Sequence, residues 1–263
     1  RIMTNEELYL TGLHIEQYRH ATYLPDPYYL EGLKRDPGDM RINDAYGLLL
    51  MRRGLFERAE ERFRKAVERA TWKNPNPYNS APYYNLGLSL WYQGRDDEAF
   101  DAFYKATWSN EQQEMSFYYL AAIQARRGNF EAALEMAEKG LVKNAHNVKA
   151  RGLKAYVLRR LGRVDEAKRW SGENRKVDAF DYVSMFEEAM LAAGNTGAAE
   201  CCGSAGAGEP CGIPGEKQHS TGGRAVVLEE MNRLKNQFYT DVSHEMKTPL
   251  TVISVNAQFA AQN

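Results

Sequence analysis

Along most of the chain, apolar residues recur at steps of three and four, in short helical blocks separated by glycines. Gly54, Gly94, Gly128 and Gly162 stand 40, 34 and 34 residues apart, and an alanine follows each by five residues (Ala59, Ala99, Ala133, Ala167). Phe56, Phe130 and Val164 place an aromatic or branched residue two positions after the glycine, where the second block has Asp96. Two blocks align at identical spacing: Gly47, Gly54, Ala59, Phe63 and Ala66 fall on Gly87, Gly94, Ala99, Phe103 and Ala106. Each block therefore predicts a pair of amphipathic helices. A small residue such as Gly47 or Gly87 lets the first helix lie close to the second. The middle glycine takes the positive φ of a tight turn, and Ala59 and Phe63, four apart, share one helical face. One pair cannot cover that face alone, so neighbouring pairs must stack.

The blocks fall at about 40–73, 80–113, 114–147 and 148–181, and the longer first spacing is taken up by a Pro/Asn-rich run, Trp72–Tyr78. In the last two blocks Ala121 and Ala155 replace the packing glycine, while Ala137 and Ser171 replace the phenylalanine. Residues 1–39 read as an N-terminal helical arm or degenerate leading unit. Thr4–Glu7 (TNEE) is a capping box there, Pro25–Pro27 breaks the first helix, and Asp36–Asp39 (DPGD) ends the next. From Ala192 the periodicity is lost, and 192–223, rich in Gly, Ala and Ser, reads as a disordered linker. Helical spacing returns over 224–263, with Leu234, Phe238, Val242, Met246 and Leu250 on one stripe. The predicted architecture is all-α. It comprises the arm, a helical-repeat solenoid over 40–191, a flexible linker, and one long amphipathic helix.

A 34-residue helix–turn–helix period of this kind resembles the tetratricopeptide repeat. The resemblance implies a protein-interaction module that offers a surface to a protein or peptide. Asn85 falls where some such proteins use asparagine to hold a peptide backbone, whereas Met115 and Tyr119 stand where a carboxylate clamp would have basic residues. Tyr46, Tyr84, Trp91 and Tyr119 are expected in the core rather than facing a ligand.

On the terminal stripe, His244 sits about 200° around the helix from both Val242 and Met246, so it points away from the seam. The neighbouring Glu245 can hold one imidazole nitrogen and raise the basicity of the other. Thr248 lies one turn further on the same face, and Pro249 should bend the helix just past the histidine. The run Phe238–Ile253, FYTDVSHEMKTPLTVI, resembles the phospho-acceptor box of two-component sensor histidine kinases. That resemblance implies that the tail is the first helix of a dimerisation domain. His244 would accept the γ-phosphoryl of ATP and pass it to a response-regulator aspartate, with Glu245 as acid/base partner. Thr248 would position water in the reverse, phosphatase reaction. The implied partners are a kinase catalytic domain, a response regulator, and a second copy of the chain through 226–263. ATP and Mg would be bound by the catalytic domain. Nothing in this sequence resembles that domain's Asn-bearing box or glycine-rich loops, so no cofactor in this chain and no autonomous kinase activity are expected.

Composition trims these expectations. With 34 basic and 35 acidic residues there is no basic excess to hold nucleic acid. No apolar run approaches the roughly 18 residues that suggest a membrane span. Cys201, Cys202 and Cys211 form neither a disulfide framework nor a zinc spacing, so no metal site is expected. Such cysteine usage fits a reducing, cytoplasmic compartment, with the parent kinase of the tail free to be membrane-anchored. The chain opens at Arg1 and stops at Asn263 inside a helical pattern, which reads as a fragment. The leading expectation is a truncated or fused sensor histidine kinase fragment of a phosphorelay, with His244 as acceptor and the repeats as interaction module. The alternative is a repeat scaffold that binds a protein or peptide and carries a non-functional tail from an accidental fusion.

Overall fold

The structure, a computed structural model, describes residues 2–18 and 22–194. Among them the chain is helical, with no strand: α1 (Asn5–Gln17), α2 (Asp26–Arg35), α3 (Met40–Arg52), α4 (Phe56–Thr71), α5 (Ala81–Tyr92), α6 (Asp96–Ala106), α7 (Gln113–Arg126), α8 (Phe130–Lys143), α9 (Val148–Arg160), α10 (Val164–Val177) and α11 (Tyr182–Ala192). The predicted terminal helix, with His244, Glu245 and Thr248, and nearly all of the predicted linker lie outside the described residues. Contacts divide the chain into two units, Arg1–Val157 and Leu158–Asn263, with the boundary inside α9.

In the first unit α1 packs on α2, α3 on α4, α5 on α6 and α7 on α8, and each pair is joined to the next through α2–α3, α4–α5 and α6–α7 contacts. Stacking of that kind covers the faces a lone hairpin would leave bare. The glycine turns share one construction. Gly54, Gly94, Gly128 and Gly162 have φ of 76°, 75°, 80° and 75°. After Gly54, the N–H of Leu55 donates to the Leu50 carbonyl at 3.0 Å while Gly54 donates to Met51 at 2.9 Å. This is the Schellman closure, in which a left-handed residue ends the helix and satisfies its last carbonyls. Arg95, Asn129 and Arg163 repeat the longer bond, to Leu90, Gln124 and Leu158. Three other helices start from side-chain caps: Thr4 with Glu7 at α1, Asp39 at α3 and Asp181 at α11.

The packing glycines work by absence of a side chain. A Cβ on Gly47 would meet the Phe63 ring at 2.5 Å, and one on Gly87 would meet Phe103 at 2.8 Å. Gly12 stands in the same relation to Tyr29, at 2.6 Å, so α1 and α2 form a hairpin of the same kind. Its prolines act differently from the sequence expectation: Pro25 and Pro27 bracket the start of α2 rather than break a helix, since proline costs nothing in a first turn. In α7 and α8 the exchange is reciprocal, with Ala121 and Ala137 both fully buried where the earlier pairs have Gly and Phe. The two backbones come close there, and a Cβ on Gly140 would lie 3.3 Å from the Glu114 carbonyl oxygen.

In the second unit α10 packs on α11, a helix beyond the four predicted blocks. Asn174 donates to Asp181 Oδ2 at 2.7 Å and to Ser184 Oγ at 3.0 Å, which locks the turn before α11. Arg159 and Glu187 form a buried pair, Nε to Oε2 at 2.5 Å and Nη2 to Oε1 at 3.3 Å.

Candidate functional site

One face of α3 is not used in closing its hairpin. Arg41, Asp44, Ala45, Leu48 and Arg52 recur on it at helical spacing and line a cavity of about 270 Å³. Tyr9, Leu13 and Glu16 of α1 form one wall, and Asn79 with Pro82, at the start of α5, forms the other. The walls are mixed: aromatic and aliphatic carbon from Tyr9, Leu13, Leu48 and Pro82, with charge from α1 and α3.

The charges sort into pairs with one left over. Arg41 forms an ion pair with Glu6, and its guanidinium lies over the Tyr9 ring at 5.4 Å from the centroid. Arg52 pairs with Glu16, whose Oε1 also accepts the Tyr29 hydroxyl at 2.5 Å. Asp44 has no cation partner among the described residues; its Oδ1 accepts the Asn85 side-chain amide at 2.8 Å. Burial pushes the Asp44 carboxyl up to about 6, against the hydrogen bond from Asn85, which favours the charged form.

Asn85 itself is 6% exposed, and its amide faces Asp44. It braces the carboxylate from the neighbouring pair, a role its spacing did not suggest. Met115 approaches Asn147 Nδ2 at 3.6 Å, and Tyr119 stacks flat on Phe103 at 4.7 Å between centroids. Tyr46 is buried, while Tyr84 and Trp91 pack against Tyr119 at 6.2 and 5.6 Å. Arg126 covers the Trp91 ring at 3.6 Å and binds Asp96, so this aromatic cluster is mainly packing. Burial pushes the Tyr119 hydroxyl up to about 12. The residue that sequence reasoning missed is Asp44. Its signal was an acid among Ile42, Ala45 and Tyr46 in the first turns of a largely apolar helix.

A second depression, of about 470 Å³, lies beside Trp72. Its Arg69 is already bound to Asp36 at 2.6 and 2.8 Å and to the Gly38 carbonyl at 3.0 Å. No helix among the described residues is long and apolar enough to cross a membrane.

Two tetratricopeptide-repeat family models match the chain, over residues 40–107 and 120–168. The fold is similar to that of YrrB, described as a tetratricopeptide-repeat protein with an unusual peptide-binding site (19% identity, TM-score 0.54, 65% of this chain and 84% of that one). It is also similar to Pseudomonas aeruginosa pilF (20%, TM-score 0.62, 74% and 87%). A third likeness is to a tetratricopeptide-repeat protein from Parabacteroides merdae (16%, TM-score 0.59, 73% and 75%). At such identities the likeness shows the fold alone. Together, the helix pairs and the family matches define a tetratricopeptide-like repeat scaffold, a class suited to protein or peptide binding. Neither match reaches the region of the expected phospho-acceptor box.

Proposed function

We propose that this chain is a repeat scaffold whose first unit holds a peptide segment of a partner protein in the groove formed by α1, α3 and the start of α5. The observation that carries this reading is the cavity itself, whose walls join apolar carbon from Leu13, Leu48 and Pro82 with placed polar groups on a helical frame. The peptide-binding site ascribed to YrrB lends support by analogy of fold. A displayed library of short random peptides, selected on the full chain, tests it. Binders should lose affinity by about tenfold or more, about 1.4 kcal/mol, on Leu48→Arg and on Leu13→Arg chains that keep wild-type helicity. Binders indifferent to both changes would place the ligand elsewhere.

A second reading rests on the sequence of Phe238–Ile253. In it His244 accepts phosphate from a separate kinase catalytic domain, with Glu245 and Thr248 in supporting roles, and a response regulator takes the phosphate on. Incubating the chain with such a domain and labelled ATP should give an acid-labile label that His244→Gln abolishes. Absence of label on the wild-type chain with several catalytic domains rules this reading out.

A further inference from the structure

We propose that the α1–α3–α5 groove selects a partner segment that places a lysine or arginine side chain, flanked by apolar residues, onto the carboxylate of Asp44. This rests on the peptide-binding reading above and adds to it the chemistry of the occupant.

Charge complementarity picks the occupant. The two arginines of the cavity are each tied to an acid, Arg41 to Glu6 and Arg52 to Glu16, so both pairs are neutral in sum. Asp44 is the charge that remains, and its one hydrogen bond among the described residues comes from a neutral amide, Asn85. A carboxylate drawn out of water without a counter-ion lowers stability, and such a group beside a cavity is a binding-site candidate. Asn85 keeps it oriented without cancelling its charge. An incoming ammonium or guanidinium does cancel it, through a charge-assisted hydrogen bond.

Size and wall chemistry agree. Small-molecule sites run from about 300 Å³ upward. A cavity of about 270 Å³ suits one long side chain better than a whole ligand. Tyr9, Leu13 and Leu48 offer carbon to the methylene stem, as long basic side chains require when only their heads are polar. An acidic side chain would meet Asp44 with like charge, and a purely apolar one would bury it unpaired.

The test uses the full chain, the random peptide library, and peptides synthesised from its binders. Selection on wild type should enrich peptides with a lysine or arginine between apolar residues. Replacing that residue by norleucine should cost about tenfold in Kd on wild type, about 1.4 kcal/mol, and nothing on Asp44→Asn. Asp44→Lys should invert the preference toward acidic peptides, which separates loss of selectivity from loss of folding. Lowering the pH from about 7.5 to about 5 should weaken basic peptides about tenfold on wild type, because about nine-tenths of the Asp44 carboxyl is then neutral. The charged and titratable groups that share the cavity are Tyr9 and Glu16 from α1 and Arg41 and Arg52 from α3, while Asn79 and Pro82 on the α5 side are uncharged. A flat profile on Asp44→Asn assigns the effect to Asp44 rather than to Glu16. Groove binders with no basic preference, or with one that survives Asp44→Asn, would overturn the inference and leave the groove reading intact. Failure to obtain any binder sensitive to Leu48→Arg would overturn both.

Discussion

Glu187 in the second unit and Asp44 in the first are both carboxylates set among apolar helix faces, and the fold treats them in opposite ways. Glu187 is 1% exposed and meets Arg159, 3% exposed, through two contacts. A buried charge of that kind is tolerable because a second charge lies within hydrogen-bond reach. Asp44 has no such partner; it has the Asn85 amide and a cavity in front of it. A charge met by an opposite charge holds helices together, whereas one met only by a neutral amide beside a cavity is available to a ligand.

The comparison can be broken at either end. The largest effect is expected at Glu187→Gln, which removes one charge of the buried Arg159–Glu187 pair and should cost about 3–5 kcal/mol, read as a lowered urea midpoint. A change below about 1 kcal/mol would show that the pair contributes little. Asp44→Asn should act with the opposite sign. The folded carboxyl is raised above its ordinary value, so its contribution to stability is present below about 4 and lost as pH rises through about 6. Removing the charge should therefore stabilise the chain by about 1–3 kcal/mol at pH 8 and leave it nearly unchanged at pH 4, by thermal melts at the two pH values. A pH-independent difference would deny that the ionised group is under strain.

Asn85→Leu sharpens the contrast by removing the only donor Asp44 has among the described residues. A loss of about 1–2 kcal/mol is expected at pH 8, shrinking at pH 4, and absence of that shrinkage would mean the bond does not serve the charge. The smallest effect belongs to an exposed pair, Arg53 with Asp26 at 2.6 Å. Arg53→Ala should cost less than about 1 kcal/mol, and less still in high salt, by the same urea assay.

The repeat pairs were legible because their signals are local. Gly54 and Leu55 close a Schellman turn with residues no more than five positions back, and the Gly47–Phe63 fit spans a single hairpin. The capping box at Thr4 and Glu7 is equally short-range and forms as expected. Pro25 and Pro27 were misjudged because the same residue that stops a helix also starts one, and which it does depends on where the next helix packs. At the groove, the sequence pointed to Asn85 as a peptide contact and gave no sign of its bond to Asp44. Its partner Asp44 is 41 residues away, and no period in the sequence connects them.

The sequence by itself determined the helix pairs, their turns and the glycine approaches, because backbone geometry and face periodicity depend on neighbours within about one hairpin. Only the tertiary structure decided which acids are paired. Arg41 finds Glu6, Arg52 finds Glu16 and Arg159 finds Glu187, while Asp44 meets an amide and a cavity. The physical reason is that a carboxylate's state follows from the water it loses and the donors it meets, and both are supplied by helices distant in the chain.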